Sequence, residues 1–215
     1  MYSTVFFDLD GTLTEPSGGI MDSVEYALSK WGIKVDDRES LRKFIGPPLV
    51  YSFKEFYGFS DEDAKLAVKY YREVFSTKGI YNNEVYPQTE ETLKALKASG
   101  KTIALATSKP EEFAIKILEH FDLAKYFDHI CGATFDNSRN TKEAVLEYAV
   151  KSAGVTDLST AVMVGDRMHD IDGANYVGMD SIGVEYGFAE EGELAAHGAT
   201  FVVPELKDIL PIICG

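Results

Sequence analysis

The order of apolar strands and helices along the chain constrains its fold more than any other feature of the sequence. A buried strand is expected at residues 3–7, and from Pro16 to about Thr77 the pattern is helical only. After Pro87 the pattern changes, and apolar strands alternate with amphipathic helices. Strands that alternate with helices form a parallel sheet covered on both faces. The sequence therefore predicts a three-layer α/β core with a helical insertion after the first strand.

These two regions define the expected domains. Residues 1–14 and 87–215 are assigned to the α/β core domain, and residues 15–86 to the helical domain. In the helical domain, Ser60 is a candidate N-cap with Asp63 three residues later. One face of the first helix is expected to carry Ile20, Val24, Ala27, Leu28 and Trp31. A chain of 215 residues has room for one core domain and a small insertion.

Polar side chains stand where three of the predicted strands end. They are Asp8 and Asp10, Thr107 to Lys109, and Asp166 with Asp170 one helical turn later. Ligands bind beyond the carboxyl ends of the strands in open parallel sheets. Mg²⁺ prefers hard oxygen ligands, and aspartates clustered without a cation would repel one another. We therefore expect a Mg²⁺ site that includes Asp8, Asp166 and Asp170.

The same side chains suit the cleavage of a phosphate ester, which is anionic and needs a cation to admit an anionic nucleophile. Asp8 can act as a covalent nucleophile and form an acyl phosphate that water later hydrolyses. Asp10 can protonate the leaving oxygen and then activate that water. Thr107 or Ser108 can donate hydrogen bonds to phosphoryl oxygens, and a lysine can balance their charge. The sequence thus predicts a phosphatase with an aspartyl-phosphate intermediate.

The motif DLDGTL at residues 8–13, combined with Gly165-Asp166 and with Asp170, resembles the haloacid dehalogenase (HAD) superfamily in its phosphatase branch. The resemblance covers the whole chain in the family's order of motifs. It implies a Rossmann-like core with a parallel sheet and a small helical C1 cap domain.

The resemblance also implies a role for each motif residue. Asp8 would be the nucleophile and a metal ligand, and Asp10 the acid/base with its backbone carbonyl on Mg²⁺. Asp166 would be a metal ligand, and Asp170 a supporting acid near the metal or the lysine. Thr107 would be the phosphate-binding hydroxyl.

The catalytic lysine of the family is the one motif residue for which this sequence departs from the usual pattern. Many relatives carry it in a Lys-Pro pair before the last motif, and here Lys142 opens the helix that precedes that motif. The resemblance therefore implies Lys142. Lys109, which is followed by Pro110, is the alternative, and it is expected to contact the substrate phosphate together with Ser108. An exposed surface position is the competing interpretation for both lysines.

The helical insertion resembles the C1 cap of phosphoglycolate phosphatases and their relatives. The sequence FIGPPL at residues 44–49 looks like the cap loop of the phosphoglycolate phosphatase and pyrophosphatase group. Such a loop would exclude water and read the leaving group. Gly46 and Arg42 are expected to bind substrate. Lys43 and Lys54 flank the same loop, and an ordinary solvated position is an equally open interpretation for all three cations.

A small phosphorylated metabolite is the expected substrate, and a phosphoglycolate-like phosphomonoester is favoured. A 5′-nucleotidase, an inorganic pyrophosphatase and a β-phosphoglucomutase-like phosphomutase are the alternatives within the family. A dehalogenase is disfavoured because it would have no use for Asp10. An inactive binding module on the same fold is the alternative from another class, and the self-repelling aspartates argue against it.

Charge and composition narrow the expected partners and location. The chain has 35 acidic and 21 basic residues and a net charge of −14, which disfavours nucleic acid and anionic membranes as partners. It has no long apolar run and no basic N-terminal segment typical of a signal peptide. Two cysteines, Cys131 and Cys214, are too few for a disulfide framework. We expect a soluble, cytoplasmic protein with no obligatory protein partner.

Overall fold

The computed structural model describes residues 1–136 and 138–215, which form two compact units. Unit 1 contains Met1–Thr14 and Val85–Gly215, and unit 2 contains Glu15–Glu84. The first strand of unit 1 is β1 (Thr4–Phe7). Two short strands, β2 (Thr14–Glu15) and β3 (Glu84–Val85), carry the chain out of unit 1 and back, and they pair with each other.

Unit 2 is helical. Its helices are α1 (Ser17–Ser29), a 3₁₀ segment (Arg38–Phe44), α2 (Leu49–Tyr57) and α3 (Asp61–Phe75). The predicted cap of α3 is confirmed, because Ser60 Oγ accepts a hydrogen bond from the Asp63 N–H at 3.1 Å. The prediction that Trp31 shares a face of α1 was wrong. The helix ends before Trp31, whose ring packs against Phe59 at a centroid distance of 4.8 Å.

Unit 1 is built on a sheet of six parallel strands. After β1 these are β4 (Thr102–Pro110), β5 (His129–Ala133), β6 (Ala161–Gly165), β7 (Asp180–Val184) and β8 (Phe201–Val203). The spatial order is β5-β4-β1-β6-β7-β8. Every residue of β1 and β6 is buried, as expected for apolar strands in the middle of a parallel sheet. The carboxyl ends of β4, β1 and β6 are therefore neighbours.

Helices cover both faces of this sheet. They are α4 (Thr89–Ala98), α5 (Glu111–His120), α6 (Lys142–Ser152), α7 (Met168–Val177), α8 (Glu193–Ala196) and α9 (Ile209–Cys214). On one face, Phe6 and Met163 of the central strands pack with Val145 and Leu146 of α6. Burying each such side chain contributes roughly 1.5–3 kcal/mol. The predicted fold class, an α/β core with a helical insertion after the first strand, is confirmed.

One strand is longer than the sequence pattern predicts. The apolar run of the sequence ends at Ala106, but β4 continues to Pro110, with a shift in its pairing to β5 between Thr107 and Pro110. Such irregularities occur where a strand redirects side chains at a site. Within residues 1–136 and 138–215, no helix is both long and apolar enough to cross a bilayer.

Candidate active site

Three of the predicted aspartates meet at the carboxyl edge of the sheet. Asp8 directly follows β1, and its N–H donates to the Val164 carbonyl of β6 at 2.9 Å. Asp166 directly follows β6, and Asp170 lies in the first turn of α7. One carboxylate oxygen from each of these aspartates lies within 4.8 Å of the others. We call Asp8, Asp166 and Asp170 the carboxylate cluster.

Asp166 is fully buried and held by two hydrogen bonds. Thr12 Oγ1 donates to its Oδ1 at 2.9 Å, and the Phe188 N–H donates to its Oδ2 at 2.8 Å. Burial raises the pKa of Asp166 well above its ordinary value, and the charges of Asp170 and Asp8 raise it further. The two hydrogen bonds oppose this rise only in part. An ionised Asp166 therefore needs a cation close by.

Glycines line the cluster because no side chain would fit. A Cβ on Gly11 would lie 2.1 Å from Asp166 Oδ2, and φ at Gly11 is +89°, a conformation that favours glycine. A Cβ on Gly187 would lie 2.3 Å from Asp166 Cβ. The backbone thus packs directly against the acid.

Sequence reasoning missed the loop after β7. Phe188 donates to Asp166, Gly187 packs against it, and the Tyr186 hydroxyl donates to the Thr12 carbonyl at 2.5 Å. No motif marks these residues. Their position after the end of a buried parallel strand was the one signal that could have indicated them.

Lys142 connects the cluster to the middle of β4. Its Nζ lies 2.6 Å from Asp170 Oδ1 and 3.1 Å from Asp8 Oδ1, both as ion pairs, and donates to the Ala106 carbonyl at 3.1 Å. The residue is 5% exposed, so a surface position is excluded. Burial alone would lower the pKa of the ammonium, but the charges of Asp170 and Asp8 raise it above its ordinary value. Lys142 is therefore a permanent cation in contact with Asp8.

Lys109 is also buried, at 8% exposed, and its ammonium pairs with Asp10 Oδ2. The Asp10 side chain is thus directed to Lys109, and the carboxylate cluster is formed by the other three acids. Burial raises the pKa of Asp10, the nearby Lys109 lowers it and Asp8 raises it, and the net shift is upward. Asp10 Oδ1 is buried with no hydrogen-bond partner among the described residues. Burial therefore makes Asp10 easier to protonate than an exposed aspartate.

The predicted phosphate-binding residues lie at the shifted end of β4. Thr107 is buried, and its Oγ1 accepts a hydrogen bond from the Lys109 N–H at 3.2 Å. Ser108 is partly buried. Both residues belong to β4, which pairs with β1 in a register that places Phe7 opposite Leu105.

The remaining predicted residues lie in unit 2. Arg42 Nε contacts Glu39 Oε2 at 2.7 Å. The Lys54 ammonium contacts Asp61 at 2.5 Å, and the Lys43 ammonium lies 4.6 Å from the centroid of the Phe56 ring. Gly46 has φ of +101°, so the loop requires glycine there.

The carboxylate cluster fits Mg²⁺ in its chemistry. It offers hard oxygen donors from the ends of β1 and β6 and from α7, and Asp8 Oδ1 is buried without an aligned hydrogen bond from any described residue. Burial and the charge of Asp8 raise the pKa of Asp170 to about 6, although Lys142 lowers it. A divalent cation would relieve the repulsion that raises these pKa values.

The sequence and the fold are both similar to those of known hydrolases and phosphatases. A family model described as haloacid dehalogenase-like hydrolase matches residues 5–184. The crystal structure of a predicted phosphatase from Clostridium acetobutylicum superposes with a TM-score of 0.94. Its sequence is 46% identical, and the match covers 99% of this chain and 98% of that one.

Three curated relatives carry different activities in their names. The 5′-nucleotidase of Pseudomonas aeruginosa is 42% identical, over 99% of this chain and 96% of its own length. The tyrosine-protein kinase PtkA of Mycobacterium tuberculosis is 35% identical, over 97% of this chain and 72% of its own length. Phosphoglycolate phosphatase 1 of Pseudomonas aeruginosa is 30% identical, over 96% of this chain and 78% of its own length.

Proposed function

Because the chain belongs to the haloacid dehalogenase-like hydrolase family, we propose that it hydrolyses a small phosphomonoester through an aspartyl phosphate on Asp8. The family and the hydrolase class predicted from the sequence are confirmed by the family match and the relatives. The observation that carries the proposal is the contact between buried Lys142 and Asp8 beside two further buried carboxylates. An inactive binding module would have no use for this arrangement.

The proposed reaction has two steps. An Asp8 oxygen attacks phosphorus, the ester bond to the leaving oxygen breaks, and Asp10 gives that oxygen its proton. Asp10 then takes a proton from water, whose oxygen attacks the phosphorus of the acyl phosphate and releases Asp8 and inorganic phosphate. The raised pKa of Asp10 supports its role as the acid in the first step.

The other site residues would orient Asp8, bind the phosphoryl group and hold the cation that neutralises its charge. Lys142 holds Asp8 and Asp170 and is proposed as the catalytic lysine. Thr107, Ser108 and Lys109 are proposed to bind the transferred phosphoryl group from the end of β4. The carboxylate cluster and the Asp10 carbonyl would hold Mg²⁺, which when bound neutralises part of the phosphate charge.

The first prediction concerns the metal. Hydrolysis of p-nitrophenyl phosphate should disappear after treatment with EDTA and return with Mg²⁺. Ca²⁺ should restore it poorly, since Ca²⁺ favours more ligands and a looser geometry. Full activity after exhaustive metal removal would contradict the proposed mechanism, and lack of activity under all conditions would favour the binding module.

For the substrate we keep the phosphoglycolate-like phosphomonoester as the first candidate. The loop at residues 44–49 and the relative named phosphoglycolate phosphatase support it. A nucleoside monophosphate is the second candidate, favoured by the 42%-identical relative named 5′-nucleotidase. A screen of both, with pyrophosphate, sugar phosphates and a tyrosine phosphate, ranked by kcat/KM, decides among them. A phosphomutase would instead form a new sugar phosphate.

We also propose that unit 2 acts as the cap and that Arg42 binds a second anionic group of the substrate. Arg42→Gln should then raise KM for phosphoglycolate about tenfold, the effect of losing roughly 1.4 kcal/mol from a hydrogen bond to a charged group. Its KM for p-nitrophenyl phosphate, which lacks that group, should stay unchanged. Lys65→Gln, an exposed cation of α3, is the control. Equal KM changes on both esters would refute the assignment.

The cytoplasmic location stays a prediction. So does the expectation that the protein has no nucleic-acid, membrane or obligatory protein partner.

A further inference from the structure

One partly buried carboxylate in unit 1 has no role in the chemistry described above. Glu193 is the first residue of α8, and its side chain is 10% exposed. Its Oε1 accepts hydrogen bonds from Arg167 Nε at 2.9 Å and from the Met168 N–H at 2.8 Å. Its Oε2 accepts a hydrogen bond from the Glu190 N–H at 3.2 Å. One side chain therefore joins the loop before α8 to the start of α7.

The residues that Glu193 holds lie between two members of the carboxylate cluster. Arg167 and Met168 directly follow Asp166, and the Arg167 N–H donates to Asp170 Oδ2 at 3.1 Å. The turn at residues 166–170 thus presents two of the three acids. Glu193 contacts this turn at its centre, on both the backbone and a side chain.

The same loop contacts the turn a second time. The Phe188 N–H donates to Asp166 Oδ2 at 2.8 Å, so the segment from residue 188 to residue 193 touches the turn at Phe188 and at Glu193. Hydrogen bonds to a charged acceptor are about twice as strong as neutral ones. Burial raises the pKa of Glu193, but the donors Arg167, Met168 and Glu190 lower it below its ordinary value, so the side chain is charged.

We propose that Glu193 is a positioning residue that fixes the turn at residues 166–170 and thereby sets the affinity of the carboxylate cluster for its divalent cation. The inference rests on the proposed function in assuming that this cluster binds metal. Partners that orient metal ligands from outside typically change metal affinity 10–100-fold when they are removed. Without Glu193, the Met168 N–H and the Arg167 guanidinium lose their shared acceptor, and the turn can leave the ligating arrangement.

The test measures metal binding directly. Mn²⁺ suits the same carboxylate ligands as Mg²⁺, and its free ion can be counted by electron paramagnetic resonance. Metal-free Glu193→Ala should bind Mn²⁺ about 10–100-fold more weakly than the unmodified protein. Glu193→Gln should fall between the two, because its carboxamide keeps one accepting oxygen. The half-saturating Mg²⁺ concentration for turnover should rise in the same order.

Two controls separate positioning from general stability. Glu191→Ala removes an exposed acid two residues away and should bind Mn²⁺ normally. Tyr2→Phe removes the hydrogen bond to Asp180 at the opposite edge of the sheet, so it should lower Tm and leave Mn²⁺ affinity unchanged. If Glu193→Ala fails to fold, the Gln variant provides the comparison.

The outcomes are distinguishable. Normal Mn²⁺ affinity in the Glu193 variants, with or without a lower Tm, would overturn the positioning role and leave the proposed function intact. Failure of the unmodified protein to bind Mn²⁺ would overturn the metal site itself. Weaker binding in Tyr2→Phe as well would assign the effect to stability and refute the inference.

Discussion

Asp8→Asn should form no phosphoenzyme and should hydrolyse every substrate at the background rate. The carboxamide is not a nucleophile for phosphorus, and the substitution also removes one oxygen anion from the carboxylate cluster. Lys142 would keep its contact with Asp170 at 2.6 Å, so the fold around the site should persist. Rapid-quench labelling with ³²P-labelled substrate measures the phosphoenzyme.

Asp172→Asn is the matched control for this experiment. Asp172 lies in α7 two residues after Asp170, but its side chain is 45% exposed and pairs with His197. The control should be labelled and turn over normally. A labelled Asp8→Asn protein would show that another residue is the nucleophile.

Asp10→Asn should lower the hydrolysis of an alkyl phosphate by about 10²–10⁴, the usual contribution of a general acid or base. The loss should be smaller on p-nitrophenyl phosphate, since p-nitrophenolate departs without a proton. The phosphoenzyme should persist, because water is no longer activated. Single-turnover rates on the two esters, with the lifetime of labelled Asp8, measure all three effects.

The contact between Asp10 and Lys109 gives a second explanation for a loss of activity in Asp10→Asn, and the same rates on the two esters test it. Asp10 pairs with the ammonium of buried Lys109, so its loss also leaves that cation without its carboxylate. A displaced Lys109 would bind the phosphoryl group more weakly, and this loss would be the same for both esters. Equal losses on both esters would therefore contradict the acid/base role and indicate a positioning role for Asp10.

The sequence allowed the fold and the family to be predicted because both depend on local patterns. The apolar runs at residues 4–7 and 161–165 are strands, and the acids that follow them must stand at one edge of a parallel sheet. The sequence pattern alone therefore predicts that Asp8 and Asp166 lie close together. The Ser60 cap of α3 was likewise predicted from a spacing of three residues.

Some local patterns do not predict where a helix or strand ends. Trp31 has the spacing of the α1 face, but the helix ends before it, and its packing on Phe59 decides its position. β4 continues past its apolar run because pairing with β5 resumes at Pro110 after a shift. In both cases the deciding partner is distant in the sequence.

The sequence by itself determined the sheet, the helical insertion and the acids that end the strands, since periodicity and strand order depend on neighbouring residues. Only the tertiary structure decided that Lys142 meets Asp8 while Lys109 meets Asp10, because a lysine's partner depends on which elements pack around it. It also decided that Glu193 and Phe188 hold the turn that presents Asp166. Their carboxylate and amide acquire these roles when α8 and the loop before it pack against α7, a contact that no spacing in the sequence encodes.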